Sequence, residues 1–262
     1  MIVSFDLISD LHIETWDSFD WAGQATSPVC VVAGDVAKDH EILFDVLRHL
    51  TTCYQAVFYI DGNEEHKYNW DRLGESYSEI EQGIQSIPGV QYLQNNVVIM
   101  NGVAIVGSNS WWTWDFDPTI DLDQSQRWWE NHQRCSADVS SLINDLAVSD
   151  ARYLANTIAR LQTHVDVKQI VVITHTVPSV SLIEHDIDLA NTYRINSMGN
   201  SWMNAILESD TEGKISHWCF GHYHGSIDRT VNGIRYVNNC RGRGDTQWRQ
   251  AVYHPLRIDI KI

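Results

Sequence analysis

Short apolar runs rich in β-branched residues recur along the chain: Ile2 to Ile8, Val29 to Ala33, Ala56 to Ile60, Val97 to Met100, Val103 to Gly107, Ile170 to Thr174, Ile215 to Phe220 and Ile234 to Val237. Each has the length of a strand and turn-forming neighbours, so each is read as β. Asn101-Gly102 separates two of these runs, and because Asn-Gly accepts positive φ it predicts a tight hairpin there. Between the runs the period changes. Ile42, Leu43, Val46, Leu47 and Leu50 fall on one face at helical spacing, and Asp71 to Ile87 and Asp138 to Val165 also predict helices. Strands alternating with helices early in the chain predict a parallel α/β core, and the hairpin adds an antiparallel portion.

No Pro/Gly/Ser-rich linker or internal repeat divides the 262 residues, so they are read as a single domain. One segment resists assignment. Ser110 to Ala137 holds Trp111, Trp112, Trp114, Trp128 and Trp129, five of the chain's 11 tryptophans, without clear periodicity. Such a segment either packs an insertion onto the body or forms a lid or binding loop. The expectation is that it borders a cleft, with Trp112 as a platform for substrate.

Charge narrows the choice of partner. Lys and Arg total 18 against 34 Asp and Glu, a formal charge of −16. Long nucleic acid is held by basic surface, so it is not expected as a partner. A small phosphorylated substrate is compatible, because bound cations can invert the local field. The sequence shows neither a signal-peptide pattern nor an apolar stretch of membrane-span length, so a cytoplasmic protein without membrane contact is expected. The five cysteines are scattered without a C-x-x-C pair, which predicts free thiols rather than a disulfide framework or thiolate metal site. Nothing in the sequence addresses oligomeric state.

Five short motifs follow or end predicted strands: Asp10-Leu11-His12, Gly34-Asp35, Gly62-Asn63, Thr174-His175 and Gly221-His222-Tyr223-His224. Loops at the carboxyl ends of strands in one α/β sheet can converge on a site. Together they offer two carboxylates, an amide oxygen and four imidazoles. This mixed oxygen and nitrogen set suits Mn, Fe, Zn, Co or Ni, with manganese placed first and Mg also possible. Seven donors are too many for one ion with an open position and suit two divalent ions sharing a carboxylate. Taken singly, each histidine would read as an ordinary core or surface residue; the ordered set does not. The remaining histidines lack motif support and read as surface or structural, with His185 alone noted as able to sit near the cleft.

The order D-x-H, G-D, G-N, a lone His after a strand and G-H-x-H resembles the calcineurin-like metallophosphoesterases. Gly107 to Phe116, Thr174 to Ser179 (THTVPS) and Asn238 to Gly244 extend the resemblance to most of the chain, least well from Asp117 to Val165. The resemblance implies two mixed β-sheets packed as a sandwich flanked by helices. It implies that Asp10, His12 and His224 hold a first ion, that Asp35 bridges both, and that Asn63, His175 and His222 complete the second. It further implies phosphoester hydrolysis by in-line attack of a metal-bridging hydroxide. The family usually places His directly after the Asn as an acid; here the run is Gly62-Asn63-Glu64-Glu65-His66. Asp35, Asn63, Glu64 and His66 are therefore the catalytic candidates, with Trp112 and Arg241 as substrate contacts. The leading expectation is a phosphodiesterase acting on a nucleotide-like or small substrate. The alternatives are a phosphomonoesterase or protein phosphatase, or a catalytically impaired metal-binding scaffold, since Glu64 occupies the position of the usual His.

Overall fold

The computed structural model describes residues 2–183, 189–246 and 252–262. The strands β1 (Ile2–Ile8), β2 (Val29–Ala33), β3 (Ala56–Ile60) and β4 (Val90–Tyr92) run parallel and neighbour one another, with β11 (Leu256–Lys261) antiparallel on the β1 edge. The second sheet has the order β5 (Asn96–Met100), β6 (Val103–Ser108), β7 (Gln169–Thr174), β8 (Ile215–Phe220), β10 (Ile234–Asn238) and β9 (Asp228–Val231). Its four central strands are parallel and its two edges antiparallel. The fold is thus α/β with two mixed sheets, as expected.

Alternation along each strand decides which layer a side chain enters. Phe5 and Leu7 of β1, Phe58 and Ile60 of β3, Val171 and Ile173 of β7 and Cys219 of β8 meet between the sheets. The alternate residues Ile170, Val172, Trp218 and Phe220 face outward onto α4 (Ala137–Gln162) and α5 (Met203–Glu208). On the other side Val32, Val57 and Tyr59 pack under α1 (His40–Cys53) and α2 (Leu73–Gln85). Asp39 caps α1 by accepting from the Glu41 and Ile42 amides, and Leu43, Val46, Leu47 and Leu50 form its buried stripe. At the predicted hairpin, Asn101 and Gly102 have φ of 51° and 85°, the primed turn that suits the twist of β5 and β6.

The tryptophan-rich segment is not wholly irregular. Leu122–Gln133 forms a helix, α3, whose N-cap Asp121 accepts from the Gln124 amide. Adjacent Trp128 and Trp129 among polar residues obscure its 3.6-residue period. Trp111, Trp112, Trp114 and Trp129 build a separate apolar cluster with Leu73, Val139, Ile143 and Ala147. Cys30, Cys219 and Cys240 are buried, and all five cysteines are free thiols. No helix among the described residues is long and apolar enough to cross a membrane.

Candidate metal centre

All five motifs lie beyond the carboxyl ends of parallel strands: β1, β2 and β3 are adjacent in one sheet, and β7 and β8 in the other. Short backbone bonds tie the loops together. The Asp10 amide donates to the Gly34 carbonyl (2.9 Å), the His12 amide to that of Asp35 (3.1 Å) and the Gly221 amide to that of His175 (2.9 Å). Gly34 has φ of 84°, and a Cβ there would sit 2.6 Å from His175 Nδ1, so both conformation and space demand glycine. Nine described non-glycine residues have positive φ, and four of them are Asp10, His12, Asp35 and His222. Strained backbone of this kind persists where surrounding structure over-determines it and clusters at functional sites.

The seven candidate ligands converge. Asp10, His12, Asp35 and His224 can offer donor atoms within 4.8 Å of one another, as can Asp35, His175 and His222, so Asp35 belongs to both groups. Asn63 joins the second group, its Oδ1 lying 3.2 Å from His175 Nε2. Within the first, His224 Nε2 is 3.2 Å from Asp10 Oδ1 and 3.1 Å from His12 Nε2. Two imidazole nitrogens this close to each other and to carboxylate oxygens suit a shared cation between them. Two of the histidines are oriented from outside: His175 Nδ1 is 2.9 Å from the Ala33 carbonyl and His222 Nε2 is 3.0 Å from the Ser197 carbonyl, whereas His12 Nδ1 is buried without a hydrogen-bond partner. Such bonds fix which nitrogen points inward. The donor set therefore fits divalent ions.

Protonation follows the same logic. Burial raises Asp10, but its bond with His224 and the charge of His175 outweigh burial and hold it at about 2. Burial likewise opposes Asp35, and the charge and hydrogen bond of His175 pull it down further. Burial, then the charge of His175, pushes His222 down to about 3, and burial also lowers His12. Ionised carboxylates and neutral imidazoles are the forms that ligate metal. His175 moves up: burial lowers it, but the Asp35 charge and hydrogen bond win.

Glu65, fully buried, stitches the loops of β2 and β3. Its carboxylate accepts from the amides of Val36 (2.6 Å), Gly62 (2.7 Å) and Asp35 (3.1 Å). Glu64 points elsewhere, into a pocket of about 340 Å³ that is also lined by His12, Asp35, His222 and His224. Its carboxylate lies near Lys67 (2.8 Å), Lys38 (3.2 Å) and Arg243 (3.5 Å).

Three expected side chains are found neither in the lining of this pocket nor among the converging donors. His66 is fully buried, with Nε2 2.9 Å from Asp61 Oδ2 and Nδ1 2.8 Å from Ser76 Oγ, so it is a strut beneath the Asn63 loop rather than an acid in the cleft. Trp112 is 2% exposed and stacks on His222 at 5.7 Å, so it braces a candidate ligand and lies too deep to offer a face to substrate. Arg241 lies over the Trp16 ring at 4.0 Å, while Arg243 lines the pocket. Trp128, His132 and Arg194 line it as well: the first two belong to the Ser110 to Ala137 segment expected to border a cleft, though neither was singled out as a contact, and Arg194 was not anticipated. Their individual codes carry no motif; a pairing of Trp128 with His132 one helical turn later was the available signal. His185 lies outside the described residues.

No family model matches the sequence, and no curated protein matches it. Solved structures do. A phosphopantetheinyl hydrolase from Mycobacterium tuberculosis aligns with 92% of this chain and 90% of its own at 18% identity and a TM-score of 0.68. GAP50, described as the anchor in the inner membrane complex of Plasmodium, aligns with 92% of this chain and 72% of its own at 11% identity and a TM-score of 0.51. The chain shares the fold of that hydrolase, two mixed sheets flanked by helices.

Proposed function

We infer that the protein is a metal-dependent phosphoesterase with a two-ion centre, and that it favours a small phosphodiester. The observation that carries this reading is the sharing of Asp35 by two donor groups at the base of one pocket. The order of the motifs, which resembles the calcineurin-like metallophosphoesterases, and the fold likeness to a phosphopantetheinyl hydrolase support it.

Asp10, His12 and His224 would hold one ion, Asn63, His175 and His222 the other, and Asp35 both; manganese is the first choice for this oxygen and nitrogen set. Divalent ions there would supply Lewis-acid charge to phosphoryl oxygens and lower the pKa of water towards neutral. The chain's own residues do the rest. The Ala33 and Ser197 carbonyls orient His175 and His222. Glu65 fixes the loops carrying Asp35 and Asn63, and the Glu64 amide donates to Asp35 Oδ1 at 2.8 Å. Lys67, Arg194 and Arg243 place positive charge around the entering anion. The two hydroxyls that line the pocket, Ser197 and Thr246, donate to the Arg194 and Arg243 carbonyls and have no base beside them among the described residues, so direct attack by water is favoured over a covalent intermediate.

Protein loaded with Mn²⁺ is expected to hydrolyse bis(p-nitrophenyl) phosphate faster than p-nitrophenyl phosphate, and a chelator should abolish both activities reversibly. Metal binding without turnover of any aryl ester would instead support the scaffold reading that Glu64 suggests.

A further inference from the structure

The chain carries almost twice as many acidic as basic residues, 34 against 18. The pocket reverses that balance: apart from the candidate ligands, its charged lining is Lys67, Arg194 and Arg243 against Glu64 alone. Two of the three cations are already engaged. Lys67 lies 2.8 Å from Glu64, and Arg243 is shared between Glu64 (3.5 Å) and Asp245 (3.2 Å). The Arg194 guanidinium has no carboxylate or hydrogen-bond partner among the described residues. It enters the pocket from the segment Leu189–Ser197, whose last carbonyl orients His222. A scissile phosphate held by two ions, with Lys67 and Arg243 beside it, leaves the solvent-exposed Arg194 at the pocket without a partner among the described residues. Guanidinium and phosphate form the strong bidentate pair, so the chemistry that completes Arg194 is a further phosphate.

A second feature of the same pocket points to what joins the two phosphates. Trp128 on α3 is half-buried and stacks on His132, with centroids 5.1 Å apart and planes 10° apart. Both residues line the pocket, and the indole, braced from behind by the imidazole, offers its other face as a platform of the kind on which a heterocycle stacks.

Resting on the phosphoesterase reading, we propose that the substrate is a nucleotide-like phosphodiester bearing a second phosphate, with that phosphate on Arg194 and its planar ring against Trp128. The product side of the reaction then resembles a nucleoside bisphosphate or diphosphate. Calorimetric titration of Mn²⁺-loaded protein with adenosine 3′,5′-bisphosphate, ADP and AMP tests this without relying on turnover. One of the two doubly phosphorylated ligands binds at least about tenfold tighter than AMP, the scale of one charge-assisted bond. Arg194→Gln collapses that ratio and Arg194→Lys retains part of it. Trp128→Ala weakens all three nucleotides but not inorganic phosphate. If both ligands bind within about threefold of AMP, or the ratio survives in Arg194→Gln, the proposal is overturned. Hydrolysis of bis(p-nitrophenyl) phosphate is measured on the same preparation. Turnover with equal affinities removes this inference alone; no turnover with Mn²⁺, or after reloading with iron or zinc, removes the phosphoesterase reading and this one together.

Discussion

Asp35→Asn is expected to empty or loosen both metal positions and to cut diester hydrolysis by at least about 100-fold, the upper range for loss of a mere supporting contact to a ligand. Asp35 belongs to both donor groups, so one change removes a negative charge from each ion. The substitution preserves shape, and the Asn oxygen can still accept from the Glu64 amide that now lies 2.8 Å from Asp35 Oδ1. Loss of activity would therefore reflect charge rather than a collapsed loop. Comparing metal content and kcat/KM with the melting temperature of the metal-free variant separates the two. A variant that keeps both ions tightly, or keeps wild-type activity, contradicts the shared-ligand assignment.

The second large effect concerns Glu64. Lys38, Lys67 and Arg243 surround its carboxylate as an acceptor, so Glu64 itself is not placed to give a proton to a departing oxygen. His66 does not replace it, being locked between Asp61 and Ser76. General acid assistance is typically worth about 10²–10⁴-fold, and an alkoxide leaving group needs it most. The protein is therefore expected to prefer diesters with good leaving groups over alkyl monoesters. Glu64→His should raise the alkyl monoester rate by about tenfold or more, both by supplying an acid and by removing a negative charge that repels a phosphate dianion. kcat/KM for matched aryl diester, aryl monoester and alkyl monoester, with the same metal in both proteins, decides it. A wild type that already prefers the alkyl monoester, or a His variant that gains nothing, refutes this account of the position.

What could be read from the sequence was what is local. The candidate ligands sit within four residues of a strand end, so a strand assignment and a two- or three-letter motif place them. The hairpin at Asn101-Gly102 is equally local, since two positive φ values decide it. The edge strands β4, β9 and β11 were not foreseen. Val90–Tyr92 has three residues, Asp228–Val231 is exposed throughout, and Leu256–Lys261 alternates with charges that make it look like a tail. Each becomes a strand because a neighbouring edge offers unpaired backbone groups, information that no single segment contains.

The same limit explains the site residues that moved. Trp112 and Arg241 have chemistry suited to a substrate, and nothing adjacent in sequence reveals that one stacks on His222 and the other on Trp16. His66 follows Asn63 by three residues, yet Asp61 and Ser76 draw its ring into the interior. Trp128 and Arg194 reach the pocket only because α3 and the segment Leu189–Ser197 fold over it. Ligand identity is written in motifs; the walls that select a substrate are written in tertiary packing.

The central claim is that the seven converging side chains hold two ions. Protein stripped with chelator, reloaded with Mn²⁺ and freed of excess ion should contain two manganese per chain by elemental analysis, falling to near zero in Asp35→Asn. One ion or none in the fully loaded wild type, with each of manganese, iron and zinc tried in turn, would contradict the account.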